Sequence, residues 1–529
     1  MALHLSVPAR EDKPPIPAET RPKIVQGMLD TISFAHPVSA AQAMLEPLSL
    51  LNRQALGPDA RLKLMELYRP VVLDIARQLA AQCAGHALPL PDEAMAAAAT
   101  ARTLLTELAY GYKLAILDQI SRVFAIGGNK TLSVLAQRAI HALDHLLHVS
   151  YYTYTAAPEG IWAEIHRIYL HAAQQGVYEY EVMDAGVKTS VNQAYKNALL
   201  LALANPHRLA PADMANVSDY VARFGHLAQL QPLGKPDNPA GIFLVQLKSD
   251  QIPVPLSKHK GGADMRTDIL LITLELARKV SEHLAGLQEN TPPARLGLPD
   301  AALQRHYQDM LSHLLKHWAL APKRTSSRLA KNESTNLIAG IEALHFYLNG
   351  EKDFAGADPV DDDAEESLNF TGKPVRKPGS NIASPTRWLV VNESAGGMAL
   401  SKFPGTSSTV QVGDLLGVRS DRDTQWSLGV VRRASSNDAG DLEIGTQLVA
   451  PHAQAAAVRL EQAGVFERAL LLPEIPALKQ PATLIVGSGL YQPARVLELK
   501  KGADGQVRIL ATRLLERTNS FERFQFSVL

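Results

Sequence analysis

The spacing of apolar positions changes for good near Pro322. From about Val25 to Leu230, Ala and Leu recur at three- and four-residue intervals, the period of amphipathic helices. This spacing predicts helices over 59–81, 92–119 and 130–151, with Gly57-Pro58 and Gly127-Gly128-Asn129 as breakers. Residues 162–176 predict another helix, with Trp162, Ile165, Tyr169 and Ala172 on one face. No period of about 34 residues runs through the region, so an irregular helical domain is expected rather than a regular solenoid. Residues 241–256 alternate and carry Pro253 and Pro255, which suggests a short hairpin or edge ribbon. Helical spacing returns over 266–287 and 301–317, and Pro322 closes it.

Beyond Pro322 the pattern is different. Residues 336–348 form a short apolar run that reads as strand or helix. Residues 351–366 are acidic with no base after Lys352, and turn residues follow at Pro374 and Pro378-Gly379-Ser380. So little apolar surface cannot offset chain entropy, and a tether of about 30 residues is expected. From Arg387 onward, β-forming runs at 387–391, 397–402, 410–419, 425–433 and 442–449 are separated by Gly, Asp, Asn and Ser clusters. Short strands at this spacing predict an antiparallel barrel or sandwich. A second β group covers 469–472, 482–486, 493–499 and 506–515.

The fold class is therefore α+β and multidomain: an irregular all-α N-terminal domain, then an antiparallel β-barrel with a further β extension. The expected boundaries are a disordered lead-in at 1–24, a helical domain at 25–320 and a barrel at 321–460 holding the acidic insert 351–384. Residues 461–529 form a β extension or a second small barrel.

Composition narrows the function classes. Of 529 residues, 53 are Lys or Arg and 53 are Asp or Glu, so the basic excess typical of a general nucleic-acid binder is missing. The one cysteine, Cys83, leaves no partner for an intramolecular disulfide and fits a reducing cytoplasm. No apolar run reaches the roughly 18 residues of a membrane span, and the Pro-rich start resembles neither a secretory nor a transit signal.

Two short motifs carry candidate chemistry. Arg324-Thr325-Ser326-Ser327-Arg328 reads RxxxR, and Asn392-Glu393-Ser394-Ala395-Gly396-Gly397 reads NxSxxG. A guanidinium fork bonds two phosphate oxygens or the O6 and N7 edge of guanine, and its flat face stacks on a base. Asn392 offers an amide to a base edge, Ser394 a hydroxyl, and the glycines a sharp turn with close backbone approach.

RxxxR, a strand, then a second strand ending in (D/N)xSxxG resembles the PilZ domain, a β-barrel that binds the bacterial messenger cyclic di-GMP. The likeness covers about 320–455, with later support from Trp426 to Arg432 and from Glu443-Ile444-Gly445. The insert between the first two strands is unusually long and acidic for the pattern. The resemblance implies a ligand site made of Arg324, Arg328, Asn392, Ser394 and Gly397, with Lys323 beside them. It implies cyclic di-GMP as ligand, no cofactor, no catalytic residues, and output to a protein partner through the helical domain. The alternative is an adaptor of the same fold that acts through protein contacts alone in motility or envelope pathways. A rival alignment through Arg376 and Arg387 spaces the arginines eleven apart and breaks the pattern.

Other clusters read as structure. His141, Asp144, His145 and His148 share one helical face, a spacing able to hold a metal, but no third distant ligand is evident and helix packing is the expected role. Gly127-Gly128 and Gly261-Gly262 lack a phosphate-loop context, and no GxSxG, HExxH or kinase set is found. The acidic insert reads as a soluble linker; a sharper reading has it occupy the basic site when no ligand is bound.

Overall fold

The computed structural model describes residues 3–121, 128–234, 236, 238–319, 327–354, 382–437, 439–461, 463–474, 480–501 and 504–529. The chain divides into two compact units, one of residues 1–86 and 90–323, the other of residues 87–89 and 324–529.

The first unit contains α1 (Pro22–Leu29), α2 (Pro37–Arg53), α3 (Pro58–Ala81), α4 (Asp92–Ser121), α5 (Gly128–Tyr152) and α6 (Ile161–Gln174). A hairpin of β1 (Val182–Asp184) and β2 (Val187–Thr189) follows, then α7 (Val191–Leu203) and α8 (Pro211–Phe224). Next come β3 (Gln229–Pro232), β4 (Ile242–Val245), β5 (Val254–Pro255), β6 (Ile269–Ile272), α9 (Leu274–Gln288) and α10 (Arg305–Ala319). Proline at the first position of α1, α2, α3 and α8 costs nothing, because that N–H has no intrahelical partner. Ser190 caps α7 by accepting the Gln193 amide at 3.1 Å. The middle helix α4 is buried on most sides, with Leu104, Leu108, Tyr112 and Ala115 fully enclosed, and packs against α2, α3 and α5. Among the described residues no helix is long and apolar enough to cross a membrane.

Two expectations for this unit need correction. The lead-in expected to be disordered is held against the helices from Ser6 onward. Glu11 exchanges main-chain hydrogen bonds with Arg53 and Ala55, Arg10 pairs with Asp118 at 2.5 Å, and the Ser6 amide donates to Glu164. Proline-rich composition lowers helix and sheet propensity but does not prevent an extended segment from docking on an existing surface. The helix expected over 266–287 begins only at Leu274, because Ile269-Leu270-Leu271-Ile272, apolar throughout, forms strand β6 instead. The hairpin expected over 241–256 is present as β4 and β5, with β5 on the edge of a four-stranded sheet of order β3-β6-β4-β5.

The second unit opens with β7 (Leu329–Ala339) and α11 (Ile341–Leu348), joined at Gly340, whose φ of +86° only glycine adopts readily. The run 336–348 is thus half strand and half helix. Then come β8 (Thr386–Ser394), β9 (Gly397–Lys402), β10 (Leu415–Ser420), β11 (Ser427–Ser436) and β12 (Leu442–Ala450). With β7 they close an antiparallel barrel of order β10-β11-β12-β9-β8-β7. Trp388 on β8 is completely buried. Residues 355–381, most of the acidic insert, lie outside the described residues.

The rest is a second closed barrel rather than an extension of the first. It contains β13 (Gln454–Leu460), β14 (Ala463–Leu472), β15 (Thr483–Val486), β16 (Val496–Lys501), β17 (Asp504–Arg517) and β18 (Glu522–Val528), in order β13-β14-β15-β18-β17-β16. Its own core includes Val458, Leu484, Leu499 and Phe524. A further cluster joins the two barrels: Leu344, Trp426 and Val430 pack with Leu470, Ile485 and Phe521. Helix α11 lies against β13 and β14.

Candidate functional site

The NxSxxG motif is a tight hairpin. Asn392, Glu393 and Ser394 end β8, Ala395 and Gly396 make the turn, and Gly397 starts β9 opposite Ser394. The Ser394 hydroxyl donates to the Gly397 carbonyl at 3.1 Å. Strand β12 supports the turn from outside. The Leu448 amide donates to the Gly396 carbonyl at 3.0 Å, and the Thr446 hydroxyl donates to the Met398 carbonyl at 3.0 Å. Gly397 is obligatory here. Its φ is +150°, and a Cβ would stand 2.0 Å from the Thr446 carbonyl oxygen, a main-chain atom that cannot swing aside.

Strand β7 brings the other motif to this turn. Leu329 pairs with Glu393 and Ala330 with Asn392. Arg328, one residue before Leu329, therefore extends β7 at the level of Ser394. It is exposed and, among the described residues, makes no ion pair or hydrogen bond. The Asn392 side chain is half-buried and likewise makes no hydrogen bond to a described residue. Arg324 and Lys323 lie outside the described residues. Thus Arg328, Asn392, Ser394 and Gly397 gather at one end of the first barrel; the Arg328 and Asn392 side chains have no partner among the described residues, whereas the Ser394 hydroxyl and the Gly397 carbonyl already serve the turn.

Lys331 is a cation at this edge that the sequence motifs did not indicate. It sits at a bulge in β7 between Ala330 and Glu333, and its Nζ pairs with Glu393 at 2.5 Å. The hydrogen bond to Glu393, with that carboxylate's charge, raises the lysine pKa. The first half of β7 is exposed on both faces, so the alternation that marks a strand is missing and the lysine reads as part of a loop.

Arg387 of the rival alignment is already engaged. Its guanidinium donates to Ser334 at 2.6 Å and to Asp421 at 2.9 Å. The Asn336 amide binds the other oxygen of Asp421 at 2.9 Å. This cluster ties β7, β8 and the turn after β10 together. Arg376 lies outside the described residues.

The α5 histidines belong to a buried ionic network of the helical unit. The His141 and His145 rings lie 4.5 Å apart, and His141 Nδ1 is 3.3 Å from Arg69. Arg69 binds both oxygens of Asp184, at 2.8 and 2.9 Å, and Arg138 binds Glu66. Burial, followed by the Arg69 charge, depresses the His141 pKa to about 3, so the ring is neutral at ordinary pH. Among the described residues no three metal-ligating side chains converge.

Comparison with known proteins follows this layout. Residues 23–237 match the N-terminal domain profile of the cyclic-di-GMP receptor FimW, residues 242–387 and 376–455 match its middle PilZ domain, and residues 453–529 match its C-terminal β-barrel domain. A curated relative, the cyclic-di-GMP receptor FimW of Pseudomonas aeruginosa, is 26% identical over 582 aligned residues, covering 99% of this chain and 93% of the relative. With all three domain profiles matched consecutively from residue 23 to residue 529, this chain belongs to the PilZ-domain receptor family that they describe.

Proposed function

We propose that this protein is a non-enzymatic cyclic di-GMP receptor whose ligand is held between the RxxxR segment and the β8–β9 turn. The observation that supports the reading is the β7–β8 register, which sets Arg328 level with Ser394 at one barrel end. A cyclic dinucleotide carries two phosphodiester anions and two guanines. The guanidinium of Arg328, unpaired among the described residues, suits a phosphate or a guanine edge, Asn392 a base edge, and the tightly supported turn allows close backbone approach. Arg324 and Lys323 supply the remaining positive charge, and Lys331 adds to it when Glu393 releases it. The segment bearing Arg324 follows α10 directly in sequence. Contact of this segment with the ligand is the step that passes the signal to the helical unit and its protein partner in the cytoplasm.

Calorimetric titration of the full chain with cyclic di-GMP tests the proposal. Wild type binds, GMP does not compete, and Arg324→Ala and Arg328→Ala each weaken binding by about 10- to 100-fold, the effect of losing a charge-assisted hydrogen bond. Unchanged affinity in both variants rejects this site, and no binding by the wild type rejects the receptor reading.

A further inference from the structure

The helical unit holds a cavity of about 330 Å³ that plays no part in the barrel site. This volume lies at the lower end of the range of small-molecule sites. Tyr151 at the end of α5, Trp162 at the start of α6, His317 near the end of α10, Phe243 of β4, and Ile252 and Pro253 before β5 all line it. Its wall is mostly aromatic and apolar, with Asn205 and His207 as further polar members, and no Asp, Glu, Lys or Arg contributes to it.

Three of these side chains carry polar atoms without a partner among the described residues. Tyr151, Trp162 and His317 are 7%, 4% and 6% exposed. None makes a hydrogen bond to another described residue, and none is among the sealed, partnerless atoms such as His283 Nε2 and His345 Nδ1. Buried polar groups are rarely left unpaired, because each costs about 1–3 kcal/mol in that state. Groups that border a cavity instead of being sealed in are positioned to meet a ligand or water there. The set is also chemically specific. Trp162 is an obligatory N–H donor, the Tyr151 hydroxyl donates or accepts, and a neutral imidazole does one at each nitrogen. Burial, followed by the neighbouring His313, holds the His317 pKa near 3, so it stays neutral. The C-terminal ends of α5, α7 and α10 and the N-terminal end of α6 all reach the cavity, so helix ends of both signs face it, and with no charged side chain in the wall an uncharged ligand is favoured.

We infer that this cavity is a binding site for a small, flat, uncharged heteroaromatic ring that carries both a ring N–H and an acceptor nitrogen. The acceptor nitrogen takes the Trp162 N–H. The ring N–H meets Tyr151 or His317, and the ring stacks among the aromatic side chains. This makes the helical unit a second ligand-responsive part of the chain, whatever the barrels bind. His317 lies seven residues before Arg324, so an occupied cavity would fix the last turn of the helix that leads into the RxxxR segment.

The test uses benzimidazole as probe, with indene (the same bicyclic size without nitrogen) and benzoate as controls, in calorimetry and ligand-observed NMR on the full chain at pH 7.5. Benzimidazole is expected to bind once per chain, indene at least tenfold more weakly, and benzoate not at all. Ile252→Trp enlarges an exposed side chain at the cavity and abolishes binding. Trp162→Phe keeps the aromatic wall but removes the donor, and it weakens benzimidazole about tenfold while leaving indene unchanged. No binding of benzimidazole at millimolar concentration, equal binding of indene, binding that persists in Ile252→Trp, or benzimidazole affinity unchanged in Trp162→Phe overturns the inference. A cavity holding water alone gives the first of these results.

Discussion

Ala330 and Asn392 stand directly opposite each other across β7 and β8, and Asn392 also pairs with Ala399 across β8 and β9. The backbone of Asn392 is therefore held between two barrel strands, while its side chain has no hydrogen-bond partner among the described residues. In the proposed site, stability would draw on the backbone of Asn392 and ligand binding on its side chain, whereas the Ser394 side chain would serve both.

That separation is measurable. Asn392→Ala leaves stability within about 0.5 kcal/mol, as expected for a surface side chain without partners, yet weakens cyclic di-GMP binding about tenfold. Ser394→Ala removes the bond to the Gly397 carbonyl, so it costs about 1 kcal/mol of stability as well as affinity. Denaturant unfolding and calorimetry on both variants check this. Equal stability losses in the two would contradict the assignment.

The two glycines of the turn are not equivalent. A Cβ on Gly396 meets nothing within 4 Å, and its φ is ordinary. A Cβ on Gly397 meets the Thr446 carbonyl at 2.0 Å from a backbone conformation that other residues avoid. Gly396→Ala is expected to unfold like wild type. Gly397→Ala should cost several kcal/mol, beyond the roughly 1–3 kcal/mol of backbone strain alone, because β9 must separate from β12. Thermal unfolding followed at a β-sheet wavelength distinguishes them.

These glycines show how far the sequence could be read. NxSxxG announced a turn with close backbone approach, and 397–402 marked β9 correctly because Gly and charge bound a short β-forming run. Nothing local announced that β12 would be the neighbour, since barrel closure is a long-range property. The same limit hid β13 and β18. Ala455-Ala456-Ala457 favours helices in isolation and becomes a strand only between β14 and β16. The exposed start of β7 lacked alternation, so Lys331 was missed although it stands three residues from Arg328. The long helices 59–81 and 92–119, by contrast, rest on local period and caps and were legible to within a few residues.

Acid should unfold the helical unit in two stages. His141 is neutral in the folded chain down to pH about 3, whereas an unfolded histidine takes up a proton near 6.5. The unfolded state gains that proton first, so stability falls as pH drops from 6.5 towards 3. For Asp184, burial favours the protonated form, but the hydrogen bond and charge of Arg69 outweigh it and hold the pKa at about 2, against 3.8 ordinarily. Its contribution, on the order of 2 kcal/mol, is complete above about pH 4 and is lost as pH falls from 3.8 through 2. Urea unfolding followed at 222 nm, where helices dominate, should show both slopes. His141→Gln flattens the upper one, and Asp184→Asn lowers stability at pH 7 while flattening the lower one.

The cluster joining the two barrels predicts that they unfold together. Phe521 of the second barrel is completely buried against residues that include Leu344, Trp426 and Val430 of the first. A salt bridge between Arg432 on β11 and Glu516 on β17 reinforces the join, and Arg432 Nε donates to Gln447, beside Gly397 on β12. Removing a buried phenylalanine costs about 3–5 kcal/mol. Because the packing is shared, that loss falls on both barrels at once. Phe521→Ala should therefore lower a single β-unfolding transition and, by loosening the support behind the β8–β9 turn, weaken cyclic di-GMP binding from the far barrel. Two separate transitions, with the first barrel's unchanged, would show that the barrels are energetically independent despite their shared core.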